Sequence, residues 1–428
     1  MHQGRVHRRA APAAGGMVCA ILLPMSEAFF LTAARGVGRA GCAPLQVLVR
    51  PVGGACNLRC SHCAAAGAPQ DARMGEDTLE ALVRGALQAP DGGEVHFAWQ
   101  GGEPTLCGLD FFRQALALQR QHAGGRAVRN TLHTNGTLID AEWAAFLADA
   151  GFAVTLHVDG PPELHDAQHL DAQAHPRSER LLQGIAQLKA RGIEFHVQAA
   201  VSALNARQPL AVYRYLKALG ARQLQFVPLV QAQDSAAGPR RVERDVELSS
   251  CTVGSIAYGR FLTSVFGEWI RHDVGRVFVH LFDSTLQAWV HGRPSVCSFG
   301  ETCARKFAVE HDGSVYACER YLDDAHRLGN VAEQPLADLL AAPQRHAFEA
   351  AKRETLSAQC RRCDVLAACR GGCPRHRFLH APGGGPGENY LCAGYRHFFR
   401  AVSPHIRAMA TLLRQGRPAS DVMRVGRR

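Results

Sequence analysis

The cysteines constrain this chain more than any other residue type. Of fifteen cysteines in 428 residues, eleven fall into three spaced groups. The groups are Cys56, Cys60 and Cys63, then Cys297, Cys303 and Cys318, and finally Cys360, Cys363, Cys369, Cys373 and Cys392. The first group offers three ligands, and three thiolates on a four-iron cluster leave one iron open to bind a small molecule and pass it an electron.

Zinc is the main alternative at these groups. Structural zinc sites use four ligands, and no fourth cysteine lies near the first group, so His62 would have to complete it. The eight later cysteines have two structural zinc sites as their alternative. Disulfides are a weaker interpretation, because disulfide-dense proteins are usually small and secreted. Clustered cysteines in a long chain indicate intracellular metal binding.

The net charge of +10 is concentrated at the two ends of the chain. Residues 1–40 carry +4 and residues 396–428 carry +7, so the residues between them carry −1. A nucleic-acid-binding protein would place this charge on a folded face, so we expect no nucleic acid partner. There is no apolar run of the ~18 residues that a membrane helix needs, and the apolar stretch at 17–23 is too short for a signal peptide. We therefore expect a cytoplasmic protein without a membrane partner.

Residues 44–235 alternate between strand-like and helix-like stretches. We predict strands at 45–49, 95–99, 131–133, 154–158, 195–201 and 224–230, and helices at 77–88, 109–121, 141–150, 178–191 and 209–219. Six strands joined by helices indicate an α/β fold with a parallel sheet, in the form of a partial (β/α)6 barrel. The chemistry of such a barrel lies at the C-terminal ends of its strands.

Four motifs follow the first four predicted strands, and all of them should open on one mouth of the barrel. They are CNLRCSHC, Gln100–Pro104, Thr134–Gly136 and Asp159–Gly160. Around the barrel we expect an irregular extension at 1–43, a connector at 236–290, a cysteine-rich domain at 291–395 that folds around metal, and a helix with a basic tail at 396–428.

These motifs resemble those of the radical S-adenosylmethionine superfamily. The stretches FAWQGGEPTL, HTNGTLID, VDGPPELHD, FVPLV and NYLCAGY are similar to the anaerobic sulfatase-maturating enzymes, which carry a SPASM domain, and the resemblance covers residues 44–412. It implies S-adenosylmethionine and three [4Fe-4S] clusters as cofactors. The ligands would be Cys56, Cys60 and Cys63 for the first cluster, Cys297, Cys303, Cys318 and Cys373 for one auxiliary cluster, and Cys360, Cys363, Cys369 and Cys392 for the other.

The resemblance also implies which residues meet the cofactor and the substrate. The cofactor contacts would be His62, Gly101, Gly102, Glu103, Asn135, His157, His169 and Val230. Gln100 would lie beside the substrate, and Glu319 would be the catalytic base. The chain departs from the family pattern at four positions: His62 replaces an aromatic residue, His157 a serine, His169 an arginine (unless Arg177 replaces it) and Glu319 an aspartate.

The implied reaction is oxidation of a Cys or Ser residue in an unfolded sulfatase to Cα-formylglycine, with a reducing electron donor such as flavodoxin or ferredoxin. We expect a water-poor site to raise the pKa of Glu319 toward neutrality, unless the residue simply pairs with Arg320 or another cation. The nearest alternative is a SPASM enzyme that crosslinks or epimerises a ribosomally made peptide, although residues 1–43 are short for a precursor-recognition domain. A non-catalytic iron–sulfur or zinc scaffold is a further alternative, against which the open three-cysteine site argues.

Overall fold

A computed structural model describes residues 44–63, 68–90, 93–171, 173, 175–231, 248–303, 306–380 and 385–425. The predicted extension at 1–43, with Cys19 and Cys42, lies outside the described residues. The predicted connector at 236–290 lies partly outside them.

Twelve strands are found in the described residues. They are β1 (Leu45–Arg50), β2 (Arg59–Cys60), β3 (Val95–Trp99), β4 (Val128–Thr134), β5 (Ala153–His157), β6 (His169–Leu170), β7 (Phe195–Val201), β8 (Gln223–Pro228), β9 (Phe278–Val279), β10 (Lys306–Glu310), β11 (Ser314–Tyr316) and β12 (Arg327–Asn330). Ten of them form one sheet in the order β12-β11-β10-β1-β3-β4-β5-β7-β8-β9, and β2 pairs with β6 in a separate ribbon.

The helices connect and follow these strands. The α-helices are α1 (Glu76–Gln88), α2 (Gly108–His122), α3 (Ala141–Asp149), α4 (Pro162–Asp166), α5 (Ser178–Ala190), α6 (Pro209–Ala218), α7 (Ser255–His272), α8 (His280–His291), α9 (Leu336–Ala341), α10 (Pro343–Glu354), α11 (Ala358–Arg361), α12 (Leu366–Cys369), α13 (Cys392–Arg414) and α14 (Val422–Val425). Short 3₁₀ turns occupy Pro104–Cys107, Asn205–Arg207, Cys297–Phe299, Asp324–His326, Pro374–His376 and Ala419–Asp421. None of the described helices has both the length and the apolar composition that crossing a bilayer requires.

The six predicted barrel strands are β1, β3, β4, β5, β7 and β8, and neighbouring ones pair in parallel. The predicted partial barrel is thus confirmed, and among the described residues its sheet is open. One face of the strands packs under the helices, where Val47, Phe97 and Leu132 are fully buried. Helix and strand limits follow the predicted ones closely because apolar side chains alternate along each strand and recur at helical spacing between strands.

The opposite face of the same strands is polar. Strand alternation and the parallel register place many polar residues there, among them Gln46, His96, Thr131, His133, Thr155, His196 and Gln223. His96 Nε2 lies 2.7 Å from Thr131 Oγ1 on this face. A polar inner face suits the binding of polar molecules rather than a sealed apolar core.

The cysteine-rich segment is continuous with the barrel sheet. Strand β10 pairs in parallel with β1, with Gln46 opposite Lys306, and β11 and β12 extend the sheet as antiparallel strands. Arg50 Nε and Glu310 Oε1 form an ion pair of 2.5 Å across the β1–β10 junction. The segment predicted as a second domain therefore shares backbone hydrogen bonds with the first.

The last long helix fixes the end of this segment against the barrel. Helix α13 begins at Cys392, four residues before the predicted start, and packs on α7. The two helices meet at glycines: a Cβ at Gly394 would lie 2.0 Å from the carbonyl oxygen of Ser255, and one at Gly259 would lie 2.5 Å from that of Gly394. Only glycine allows so close an approach of two helix backbones.

Candidate active site

The loop after β1 gathers the three cysteines of the first group. The Cys63 amide donates to the Cys60 carbonyl over 3.0 Å, and Cys60 and Cys63 are near enough to act electrostatically on the Cys56 thiol. The pKa of Cys56 is raised to about 12, chiefly by burial and less strongly by Glu103 and the other two cysteines, while a hydrogen bond from the Leu58 amide opposes the shift. Three converging thiols are therefore available to a metal, which would displace their protons.

The glycine pair of the second motif packs directly against this cysteine loop. A Cβ at Gly102 would lie 1.8 Å from the Ala55 carbonyl oxygen, and Gly101 has a left-handed φ of +128°. The Gly102 amide donates to Gly53 over 2.8 Å, and the Glu103 amide donates to Ala55 over 2.7 Å. Because these amides are engaged, a contact between the turn and a cofactor would involve other atoms, such as carbonyl oxygens.

Glu103 ties the second motif to the third. Its carboxylate is fully buried and accepts from the Thr105 amide (3.1 Å) and hydroxyl (2.7 Å), from the Thr134 hydroxyl (2.8 Å) and from the Asn135 amide (2.8 Å). Burial raises the pKa of Glu103, and these hydrogen bonds oppose the rise. The predicted contact of this carboxylate with the cofactor stays a prediction, since the structure fills most of its acceptor positions with protein donors.

Asn135 ties the third motif to the cysteine loop. Its amide nitrogen lies 2.9 Å from Asn57 Oδ1 and 3.8 Å from Cys56 Sγ, and its oxygen accepts from the Thr137 amide and hydroxyl over 3.0 and 2.6 Å. The first three strand-end motifs are thus joined by hydrogen bonds at one mouth of the barrel.

The fourth motif brings Asp159 to the two-stranded ribbon. Cys60 of β2 lies opposite His169 of β6, and His169 Nε2 lies 2.7 Å from Asp159 Oδ2. His169 Nδ1 lies 3.1 Å from Cys60 Sγ. Burial alone would lower the pKa of His169, but Asp159 outweighs it and raises the value to about 10. Arg177, the alternative to His169 as a cofactor ligand, pairs instead with Asp171.

Two histidines at the same mouth have buried ring nitrogens for which the described residues offer no hydrogen-bond partner, His62 Nδ1 and His157 Nε2. Burial lowers the pKa of His62, and it lowers that of His157 to about 4. Gln100 lies directly after β3 and is half-buried, and its backbone amide donates to the Val49 carbonyl over 2.8 Å. Val230 follows β8 and packs against the apolar core.

The eight later cysteines form two interleaved sets. One cavity is lined by Cys297, Cys303, Cys318 and Cys373. The neighbours of the Cys369 thiol are Cys360, Cys363 and Cys392. Cys373 thus lies with cysteines far before it in the sequence, and Cys369, four residues earlier, lies with the other set, as the family resemblance implies.

The spacing of the sulphurs argues against single metal ions. Tetrahedral zinc with Zn–S bonds of about 2.3 Å would hold its sulphurs roughly 3.8 Å apart. The described residues include all eleven grouped cysteines. Among them, the three residues whose ligand atoms all lie within 4.8 Å of one another are His62, Asp159 and His169, and none of these is a cysteine. The thirteen described cysteines are also free of disulfides. The donor sets therefore fit a larger group, such as an iron–sulfur cluster.

Glu319 lies at the boundary between one cysteine set and the barrel. Its carboxylate accepts from Lys306 Nζ over 2.6 Å and from Cys318 Sγ over 3.2 Å, and its charge acts on His133 of β4. Burial would raise the pKa of Glu319, but Lys306 and Arg320 outweigh it and lower the value to about 2. The expected rise toward neutrality is therefore wrong, because sequence reasoning did not foresee Lys306 as the partner.

Comparison with known proteins places this geometry in a family. The model of the radical SAM superfamily matches residues 51–202, and the model of an iron–sulfur cluster-binding domain, SPASM, matches residues 297–364. The serine-type anaerobic sulfatase-maturating enzyme of Bacteroides thetaiotaomicron is 34% identical over 392 residues, which are 89% of this chain and 95% of that protein. This chain belongs to the anaerobic sulfatase-maturating enzyme family. The cysteine-type enzyme of Clostridium perfringens (strain 13) is 31% identical and covers 85% of this chain and 97% of that protein.

Solved structures agree with this membership of the sulfatase-maturating family. Native anSMEcpe with bound AdoMet and the Cp18Cys peptide matches with a TM-score of 0.78 and 32% identity, over 86% of this chain and 99% of that one. SuiB of Streptococcus suis with bound S-adenosylmethionine matches with a TM-score of 0.58 at 16% identity, which shows a shared fold alone.

The residues of this family member fit the cofactors that the family implies. The grouping of the thiols in one set of three and two sets of four suits iron–sulfur clusters. The ring nitrogens of His62 and His157, which have no partner among the described residues, offer hydrogen bonds to a polar molecule. Sequence reasoning missed Asp159 as a partner of His169, and it missed Lys306 as a partner of Glu319. The Asp-Gly turn after the fourth strand was a signal for the first, whereas nothing in the sequence marked the second.

Proposed function

We propose that this enzyme oxidises a Cys or Ser residue of a target sulfatase to Cα-formylglycine, with S-adenosylmethionine and three [4Fe-4S] clusters as cofactors. The observation that carries the proposal is the convergence of all four strand-end motifs at one mouth, with Glu319 and a four-cysteine set near the same barrel strands. The relatives named as serine-type and cysteine-type sulfatase-maturating enzymes support the choice of substrate.

Each set of residues has one task in this proposal. Cys56, Cys60 and Cys63 hold the first cluster, and the two interleaved sets hold the auxiliary clusters. When bound, the first cluster and S-adenosylmethionine supply the one-electron chemistry that removes a hydrogen atom from the target Cβ. His62 and His157 donate or accept hydrogen bonds with the cofactor, and the polar inner face holds the peptide beside Gln100.

Glu319 accepts the thiol or hydroxyl proton of the target residue in this proposal. The target side chain loses one hydrogen atom, one proton and one electron in total. The electron would be taken up by an auxiliary cluster, which the four-cysteine set beside Glu319 would hold. A serine becomes the aldehyde directly, whereas a cysteine needs water to replace its sulphur, which leaves as hydrogen sulfide. Lys306 fixes the carboxylate position, and positional error at a reacting group is costly.

The test is to incubate anaerobically reconstituted, reduced enzyme and S-adenosylmethionine with sulfatase-derived peptides that carry Cys, Ser or Ala at the target position. We expect the Cys and Ser peptides to change to the mass of the aldehyde and to react with a hydroxylamine probe, while the Ala peptide stays unchanged. A product that has lost two hydrogens without gaining an aldehyde would contradict the proposal and favour the peptide-crosslinking alternative. Absence of S-adenosylmethionine cleavage would favour a non-catalytic scaffold.

A further inference from the structure

Arg377 holds a short loop that joins the two interleaved cysteine sets. The loop consists of residues 370–372, between Cys369 of one set and Cys373 of the other. Its three residues have left-handed φ angles of +49°, +75° and +63°, and Arg370 is the one residue other than glycine with such an angle in the described part of the chain. A left-handed conformation is unfavourable for a residue with a Cβ, so the loop needs a partner that holds it in place.

The guanidinium of Arg377 is that partner, and it uses all three of its nitrogens. Nε donates to the Gly371 carbonyl over 3.2 Å, and Nη2 donates to the carbonyls of Arg370 and Gly372 over 3.3 and 3.4 Å. Nη1 donates to the Lys352 carbonyl over 2.8 Å, in the last turn of α10. Because carbonyl oxygens of two segments converge on it, the half-buried guanidinium is fixed between the loop and the helix.

The end of helix α10 is itself connected to both cysteine sets. Before this end, Lys352 Nζ donates to the Cys297 carbonyl over 2.5 Å. Beyond it, the Cys360 amide donates to the Ser357 hydroxyl over 3.2 Å. The segment that Arg377 holds therefore leads to a cysteine of each set.

The positive charge of Arg377 acts on thiols of both sets. It acts on Cys360 in one set and on Cys373 and Cys303 in the other. A guanidinium stays charged in proteins, so this charge does not depend on a titration. Further cations act on the cysteines of the cavity, and they are Lys306, Arg320 and Lys352. For Arg377 the effect extends to a cysteine of each set.

An iron–sulfur cluster gains negative charge when it is reduced, so a nearby positive charge raises its reduction potential. Groups outside the ligand set tune a metal centre in this way. We propose that the guanidinium of Arg377 is a positive charge shared by the two auxiliary sites and that it raises the reduction potentials of both clusters together. Both clusters then accept the electron that leaves the target residue more readily. The inference rests on the auxiliary clusters of the proposed function.

The test is a redox titration of the two auxiliary clusters in the full-length chain, followed by electron paramagnetic resonance. The parent chain and all variants carry Cys56→Ala, Cys60→Ala and Cys63→Ala, so that the first cluster contributes no signal. We expect Arg377→Gln to shift both midpoint potentials to more negative values with iron content unchanged. Arg377→Lys keeps the positive charge, and its midpoints should stay close to those of the parent chain.

Two controls separate the charge from the geometry of the loop. Asn389 is a neutral donor to the same loop, since its Nδ2 donates to the carbonyls of Gly371 and Cys373 over 3.1 Å each. Asn389→Ala should therefore leave both midpoints close to the parent values. Arg353→Gln removes an exposed charge from α10, one residue after Lys352, and should also leave them unchanged.

Unchanged midpoints in Arg377→Gln would overturn the proposal, as would a shift confined to one cluster or an equal shift in either control. Loss of auxiliary iron from both Arg377 variants would also overturn it, because the residue would then only hold the loop. Loss from Arg377→Gln alone supports the proposal, since the variant that keeps the charge then keeps the clusters. None of these results depends on peptide oxidation, and a parent chain without auxiliary iron would instead contradict the proposed function.

Discussion

At the scale of single residues, the Lys306–Glu319 pair decides how the base would operate. The pair lowers the pKa of Glu319 to about 2, so the carboxylate is ionised throughout the range in which enzymes work. It is always able to accept a proton, but its low basicity gives a small driving force. Any pH dependence of peptide oxidation near neutrality should therefore come from other groups.

We predict that Glu319→Gln lowers peptide oxidation by ~10²-fold or more while S-adenosylmethionine cleavage persists, measured as peptide aldehyde and as 5′-deoxyadenosine. Because the variant leaves Lys306 buried without its carboxylate, it should also be less stable. The double variant Lys306→Met/Glu319→Gln removes both charges and separates these effects. Glu301→Gln, which changes an exposed carboxylate, serves as control. Oxidation close to wild type in the Glu319 variants would remove this residue from the mechanism.

Several residues of the site could be predicted individually, but their partners could not. His62, His157 and His169 stood out as departures from the family motifs. The contact of His169 with Cys60 joins residues 109 positions apart, through a ribbon of two-residue strands that leaves no periodic signal in the sequence. The pairing of Glu319 with a cation was an open alternative, yet Arg320 and not Lys306 was its named candidate.

At the scale of elements, the turn after β3 depends on glycine for its contact with the cysteine loop. We predict that Gly102→Ala displaces Ala55 and the cysteines that follow it, because the added Cβ would lie 1.8 Å from a backbone oxygen. The expected result is a lower melting temperature and loss of the first cluster, measured by iron content and by S-adenosylmethionine cleavage. Gly385→Ala is the control, since its Cβ would meet no atom of the described residues within 4 Å. Wild-type iron content and wild-type S-adenosylmethionine cleavage in Gly102→Ala would contradict this prediction, since the cysteine loop would then have shifted without losing the cluster.

The long elements were predictable, and the short ones were not. Strands β1, β3, β4, β5, β7 and β8 have apolar residues on one face over five or more positions, which is enough for a pattern. The limits of α13 were less certain because Cys392, its first residue, was expected to end the metal-binding segment rather than to begin a helix.

At the scale of the whole molecule, one short loop joins the two interleaved cysteine sets, which hold the auxiliary clusters in the proposed function. Cys369 and Cys373 belong to different sets, and Arg377 donates to carbonyl oxygens of Gly371 and Gly372 between them. The cysteine groups could be predicted from the sequence. That Cys373 belongs to the set of the middle group came only from the family resemblance, because spacing alone does not assign cysteines to sets.

We predict roughly twelve irons in the anaerobically reconstituted enzyme and a loss of about four in Cys373→Ala. Cys107→Ala, a change outside the three groups, should leave the iron content as in the wild type. The measurement is iron and sulfide content per chain, with protein mass verified. Zinc in place of iron, or about four irons that do not fall when Cys56, Cys60 and Cys63 are all replaced by alanine, would contradict the three-cluster assignment.

The pairing of β1 with β10 has a consequence for how the protein is made. Arg50 and Glu310, joined across that pairing, are 260 residues apart, so β1 leaves the ribosome long before its neighbour exists. Until then the side of β1 that will face β10 has unpaired backbone groups, and such an edge favours association with other chains. A message truncated before β10 would yield a polypeptide that carries the first three cysteines on an unprotected edge, prone to aggregation in the cell.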